Sequence, residues 1–179
     1  MRKITHLFFA VAFLFTCSNA FAQSTLAVMK ALDGTTKLNG GSIVAGHANE
    51  IDLFSYSQGE SNCVDCQVSV SSFNAMIKLT PATISFKKLL LNGTKLTSVD
   101  VYLIKPGTTA FTYYKIRMEN VTVESVQESG SSESPIFSVS LIPERMAWQQ
   151  INQNASGGPG VKTSYGWDLM TNTEWIYTF

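Results

Sequence analysis

Phe111-Thr-Tyr-Tyr-Lys-Ile-Arg-Met-Glu-Asn-Val-Thr-Val-Glu-Ser-Val126 is the stretch that decides the fold class. Ile116 and Met118 alternate with Lys115, Arg117 and Glu119, and Val121 and Val123 alternate with Thr122 and Glu124. A period of two sends successive side chains to opposite faces of an extended chain, and aromatic and β-branched residues suit such a pleat. Phe111–Glu119 and Val121–Val126 are therefore read as strands.

The same signal recurs on both sides. Leu26–Leu32 is apolar on both faces and stops at Asp33-Gly34; Ile51–Ser57 stops at Gln58-Gly59. Phe73, Ala75, Ile77 and Leu79 alternate with polar residues or Met76, and Val99–Ile104 alternates before the Pro106-Gly107 turn. Ile136–Leu141 and Arg145–Ile151 complete the set, with Gln127–Ser134 and the Asn/Gly/Pro-rich Asn152–Gly160 expected as loops, the second a mobile surface loop. One segment departs from this. Thr80-Pro81 offers an N-cap hydroxyl and a proline at the first helical position, Asn92-Gly93 a stop, and Phe86, Leu89 and Leu90 recur at helical spacing. A helix of about three turns closing one end or side of the barrel fits this pattern. The expected architecture is mainly β (α+β): a small antiparallel barrel of two packed sheets with one short helix.

The amino terminus defines what is exported. Arg2 and Lys3 precede an apolar run from Ile4 to Cys17, followed by Ala20-Phe21-Ala22, the order of a secretory signal peptide. A membrane anchor needs about 20 apolar residues, more than this run supplies. The expected division is residues 1–22 as signal peptide and 23–179 as one domain; removing 22 of 179 residues leaves 157, enough for a single core. Loss of Arg2 and Lys3 leaves 11 of the 13 basic residues against 13 acidic ones. There is no basic patch, so nucleic acid is not an expected partner, and no second apolar run of spanning length, so stable membrane insertion is not expected either. The destination is periplasmic or extracellular. Cys63 and Cys66 are then the two cysteines left, and in an oxidising compartment they read as one disulfide.

Little in the chain carries catalytic chemistry. His47 is the sole histidine after the leader, in a polar linker where a solvated role is expected. A Ser-His-Asp triad would need it, and no serine sits on a glycine-flanked elbow. Zinc requires three or four good ligands, and Cys63, Cys66 and His47 are the available sulfur and imidazole groups. Cys63-Val-Asp-Cys66 has redox spacing, but Gln67-Val-Ser-Val-Ser71 alternates like a strand rather than opening a helix whose dipole would lower a thiol pKa. No cofactor or metal is expected, and Trp167 is expected to anchor the core in a closing strand.

Taken in order, several segments resemble one family. His47-Ala-Asn-Glu-Ile-Asp-Leu-Phe-Ser-Tyr-Ser57 looks like its second strand, Thr80-Pro81 through Leu89-Leu-Leu-Asn-Gly93 its helix, and Ser98–Gly107 the strand and turn that follow. Tyr113–Val126 is the closest match; Ser138-Val-Ser-Leu141 is similar to the next strand. Gly166, Trp167, Asp168 and Asn172 resemble the closing structural signature. The family is the haemolysin-coregulated protein (Hcp) family, the tube proteins of type VI secretion. The resemblance implies a non-enzymatic structural or secreted protein, a cargo carrier or effector, whose copies close into a homohexameric ring. Its implied partners are the secretion spike, the sheath or effector proteins. A monomeric periplasmic binding or adhesion module on the same fold is the alternative. Two features differ from the family pattern: the signal peptide, and a short Gln58–Gln67 segment where members carry a long glycine-rich loop.

If Cys63 and Cys66 pair, the intact mass of exported protein rises by two hydrogens on reduction. Replacing both with Ser then costs about 2 kcal/mol or less, because the closed loop is short. Two freely alkylated thiols in unreduced material would exclude the bond.

Overall fold

The computed structural model describes residues 26–62, 68–106, 110–130 and 134–179. The leader and the Cys63/Cys66 pair lie outside them. In chain order the elements are β1 (Leu26–Asp33), β2 (Thr36–Lys37), β3 (Ile51–Ser57), β4 (Glu60–Ser61), β5 (Ser69–Val70), β6 (Phe73–Lys78), α1 (Pro81–Asn92), β7 (Leu96–Lys105), β8 (Phe111–Ser129), β9 (Ile136–Ile142), β10 (Arg145–Gln153), β11 (Pro159–Asp168) and β12 (Thr173–Glu174).

Six of these strands close a barrel in the order β8-β7-β1-β3-β6-β9, with β9 returning to β8; every pairing is antiparallel. Closure removes the free edges an open sheet would expose. The interior follows the alternation: Met29 and Ala31, Phe73, Ala75 and Ile77, Val99 and Val101, and Phe137, Val139 and Leu141 all point in.

β8 is one 19-residue strand rather than two. Its inward set shifts from even positions (Ile116, Met118) to odd ones (Val121, Val123) at Asn120, whose φ of 50° is left-handed. The reversal falls where this single strand changes partner. Tyr114–Glu119 pairs with β10, whereas Thr122–Ser129 pairs with β9 along the same edge. The β9–β10 corner is held there: the Glu144 N–H donates to the Glu119 carbonyl (3.0 Å), and the Asn120 amide and Lys95 ammonium donate to the Glu144 carboxylate (3.0 and 2.5 Å). Together they hold that carboxyl below its ordinary range, the Lys95 bond foremost. Beyond the corner, β10, β11 and β12 run past the barrel as an extension of its wall.

The helix lies where expected, with a correction at its cap. Thr80 makes no side-chain cap; its hydroxyl is buried without a partner among the described residues, and its carbonyl instead accepts from the Thr83 N–H (3.0 Å) and Thr83 hydroxyl (2.7 Å). Gly93 ends the helix at φ 66°, with the Thr94 N–H reaching the Leu89 carbonyl (3.1 Å). Ala82, Thr83, Phe86 and Leu89 are buried, and the helix packs on β8.

Three other expectations change. Gln127–Ser129 continues β8 rather than starting a loop. The closing strand expected around Trp167 runs from Pro159 to Asp168 and so reaches back into the expected Asn152–Gly160 loop, its length masked in the sequence by small and polar residues. The turn before it is internally bonded, with the Asn154 carboxamide oxygen accepting from the Ser156 and Gly158 N–H groups (3.1 and 2.9 Å). Nor is His47 solvated: its Nδ1 lies 2.7 Å from the Glu50 carboxylate, its ring 4.6 Å from that of Tyr102, and Glu50 is itself buried.

Phe86 is fully buried between helix and barrel. Phe86→Ala should cost about 3–5 kcal/mol, read as a drop in urea midpoint with little change in slope. A variant as stable as wild type would mean the helix contributes no packing to the core.

Candidate functional site

The wall extension β8–β10–β11 has two unlike faces. One carries charge. The Arg117 guanidinium donates to both Asp100 oxygens (3.0 and 2.9 Å) and to Glu119 (3.2 Å), and these bonds outweigh the cost of its burial and raise its pKa. Tyr177 lies under Arg117 at 5.5 Å and Trp175 under Arg145 at 5.9 Å, so the chain after β12 crosses this face as a strap. Successive rings touch along it, Trp175 on Tyr177 (4.9 Å) and Tyr177 on Phe179 (5.0 Å). Aromatic faces attract cations electrostatically, which fixes the strap on its arginines.

The closing-signature residues sit where the strap turns. Gly166 donates nothing from a side chain and cannot carry one: a Cβ there would collide with the Trp175 carbonyl oxygen and meet the Ala147 Cβ at 3.3 Å. The Trp175 N–H donates to the Gly166 carbonyl (2.9 Å). Asp168 accepts from the Met170 and Thr171 N–H groups (2.9 and 3.0 Å) and from Arg145 Nε (2.7 Å). The Thr171 bond first and Arg145 second hold its carboxyl below the usual 3.8. Asn172 takes the left-handed φ of 54° that the turn requires. Trp167 departs from its expected place. It is half-buried and outside the core, with an indole N–H that finds no acceptor among the described residues.

The other face is apolar and open. Tyr114, Trp148, Tyr165 and Trp167 form the floor of a cleft of about 490 Å³, with Glu60, Val68 and Val70 of the β4–β5 hairpin as its far wall. Tyr165 lies 6.4 Å from Trp167, ring to ring. Registry explains the grouping, since Trp148 pairs with Tyr165 and Ile116, Gln150 with Tyr114, and Met146 with Trp167. This is the barrel's inner face carried past the barrel. Trp148 and Tyr165 carried no motif, and only cross-strand pairing reveals them as neighbours.

A third surface lies outside the barrel on β3, β6 and β9. Inward residues alternate there with exposed apolar ones: Phe54 is 54% exposed, Met76 40% and Ile136 37%, with Ile142 and Leu79 beside them. The outer sides of β7 and β8, by contrast, are covered from within the chain, Tyr102 by His47 and Arg117 by Tyr177.

No group of three potential metal ligands occurs among the described residues. No curated protein matches the chain. Solved structures do. A structure described as a type six secretion system protein superposes with a TM-score of 0.76 at 19% identity, covering 85% of this chain and 100% of that one. Hcp1 from Salmonella typhimurium gives 0.72 at 22%, covering 85% and 99%. A type VI secretion system effector from Yersinia pestis gives 0.67 at 25%, covering 79% and 98%. The family model described as type VI secretion system effector, Hcp, matches residues 29–150.

The Asp168→Asn variant should be less stable than wild type at about pH 7, with the gap closing as pH falls. A lowered native pKa stabilises above the unfolded value and is lost as the carboxylate protonates. A gap equally wide at about pH 2.5 in urea denaturation would show that the charge on Asp168 is irrelevant to the turn.

The family consists of secreted, non-enzymatic tube proteins, and with more than half its length under that model this chain belongs to the type VI secretion Hcp family.

Proposed function

We propose that this protein is exported by a cleavable signal peptide ending at Ala22, carries a Cys63–Cys66 disulfide, and assembles as a homohexameric ring. In this reading residues 23–179 form the ring-forming domain. It acts outside the cytoplasm as a structural subunit, carrying cargo or serving as an effector alongside spike, sheath or effector partners. The observation that carries the ring is the outward β3–β6–β9 wall. Phe54, Met76, Ile136 and Ile142 expose apolar surface on adjacent strands, interleaved with Asn74, Ser138 and Ser140. Single exposed apolar residues are ordinary, but a contiguous set on a rigid sheet favours a partner. A head-to-tail contact using that wall closes into a ring when its rotation permits.

The proposal treats stacking of rings as weak. The family's stacking segment is short here, and its described residues Glu60, Val68 and Val70 lean over the chain's own cleft. Less area is left to cross between rings, and contacts well under about 1,000 Å² are rarely stable.

Sedimentation of the secreted protein should give one hexameric species that does not grow with concentration, and Phe54→Glu should dissociate it while leaving the circular dichroism unchanged. A wild-type monomer at tens of micromolar would reject the ring and favour the monomeric binding module. Long tubes in electron micrographs would reject the weak-stacking half alone.

A further inference from the structure

The cleft between the β4–β5 hairpin and the wall extension has a composition that selects a ligand. Its floor is four aromatic rings, Tyr114, Trp148, Tyr165 and Trp167, and among the described residues of its lining Glu60 is the charged one. The carboxylate lies close enough to Tyr114 to help raise its hydroxyl pKa, after burial and the neighbouring Tyr56. Elsewhere the chain's own cations sit over its rings: Lys78 over Phe54 (5.0 Å), Lys87 over Phe137 (5.2 Å), Lys105 over Tyr113 (5.4 Å), and the two arginines over the strap. Among the described residues none lies over the four rings of the cleft.

We propose that this cleft binds an organic ammonium cation, of the quaternary or methylated kind, against the aromatic floor with Glu60 as counter-charge. Ring faces are electronegative and attract a cation most strongly where water is excluded. A poorly hydrated alkylammonium loses less on leaving water than a bare metal ion or a primary amine, and its methyl groups match an apolar lining. An anion would meet Glu60 and no positive partner. A neutral apolar ligand would gain from the floor but nothing from the carboxylate. The cleft floor lies on β8, β10 and β11, where β10 pairs with both neighbours without a shift from Arg145 to Gln150, so its floor is preorganised. The site is independent of the ring, because it uses the inner face of the extension and not the outer β3–β6–β9 wall.

The same head group occurs free, as in choline, and on phosphatidylcholine, so both sources are tested. The full chain is titrated with choline chloride and with its neutral carbon isostere, dimethylbutanol, following the emission of the tryptophans. Two of the three, Trp148 and Trp167, line the cleft. Choline should bind at least about tenfold tighter than the isostere. Tyr165→Leu and Glu60→Gln should each weaken choline by about threefold to tenfold, and dimethylbutanol should respond to the first and not the second. Both side chains are exposed, Tyr165 by 52%, so the fold survives either change. Pelleting with phosphatidylcholine vesicles but not phosphatidylglycerol vesicles, lost in Tyr165→Leu, would assign the lipid source. Choline binding without pelleting would assign the free one. Equal affinity for choline and the isostere, no binding of choline, or titrations unaffected by both substitutions would each overturn the proposal.

Discussion

The architecture turns on the left-handed backbone at Asn120 and the Glu144 corner that locks it. A uniform 19-residue strand would present one alternation and keep one neighbour on each edge. The left-handed backbone at Asn120 reverses the alternation, so Met118 and Val121 both point inward. That break lets one edge of β8 serve β10 on one side of the residue and β9 on the other. The barrel can then close through β9 while the wall continues through β10 and β11. Without it, closure and extension would compete for the same hydrogen-bonding groups. Glu144 fixes the geometry from both ends, since its backbone accepts from Leu169 and donates to Glu119 while its carboxylate gathers Lys95 and Asn120.

An extension that leaves the barrel has two faces to satisfy and no core beneath it. The chain meets this asymmetrically. The charged face is covered by the strap, whose aromatic rings lie on arginines already paired with carboxylates. Gly166 makes that cover possible, because any side chain there would stand where the Trp175 carbonyl sits. Among the described residues the apolar face is covered only in part, by the β4–β5 hairpin, and the rest of it is the aromatic cleft.

The neighbours share this fold at 13% to 25% identity with TM-scores of 0.60 or more. Such tolerance follows from what sets the fold. Alternation, total core volume and a few special backbone positions are enough to specify a closed barrel, and many residue choices satisfy them. The outward wall and the cleft lie outside the core and are free of that constraint.

The class of fold, the positions of β1, β3, β6, β7, β9 and β10, and the helix with its Gly93 stop were all legible in the sequence, because each is fixed by local periodicity or by a residue with unusual backbone freedom. Cross-strand neighbours were not. β11 is built largely of small and polar residues and shows its role only through registry with β10. His47 reads as a linker residue until loop closure places it against Glu50 and Tyr102. Trp167 reads as a core anchor from its place in Tyr165-Gly-Trp-Asp168, yet the strand that carries it lies beyond the barrel, where its ring joins the cleft floor. Thr80 reads as a cap by type, but its hydroxyl is turned away from the free N–H groups. Periodicity determines which face of a strand a side chain takes, whereas the order in which strands pair decides what that face meets, and strand order depends on contacts between residues far apart in the chain.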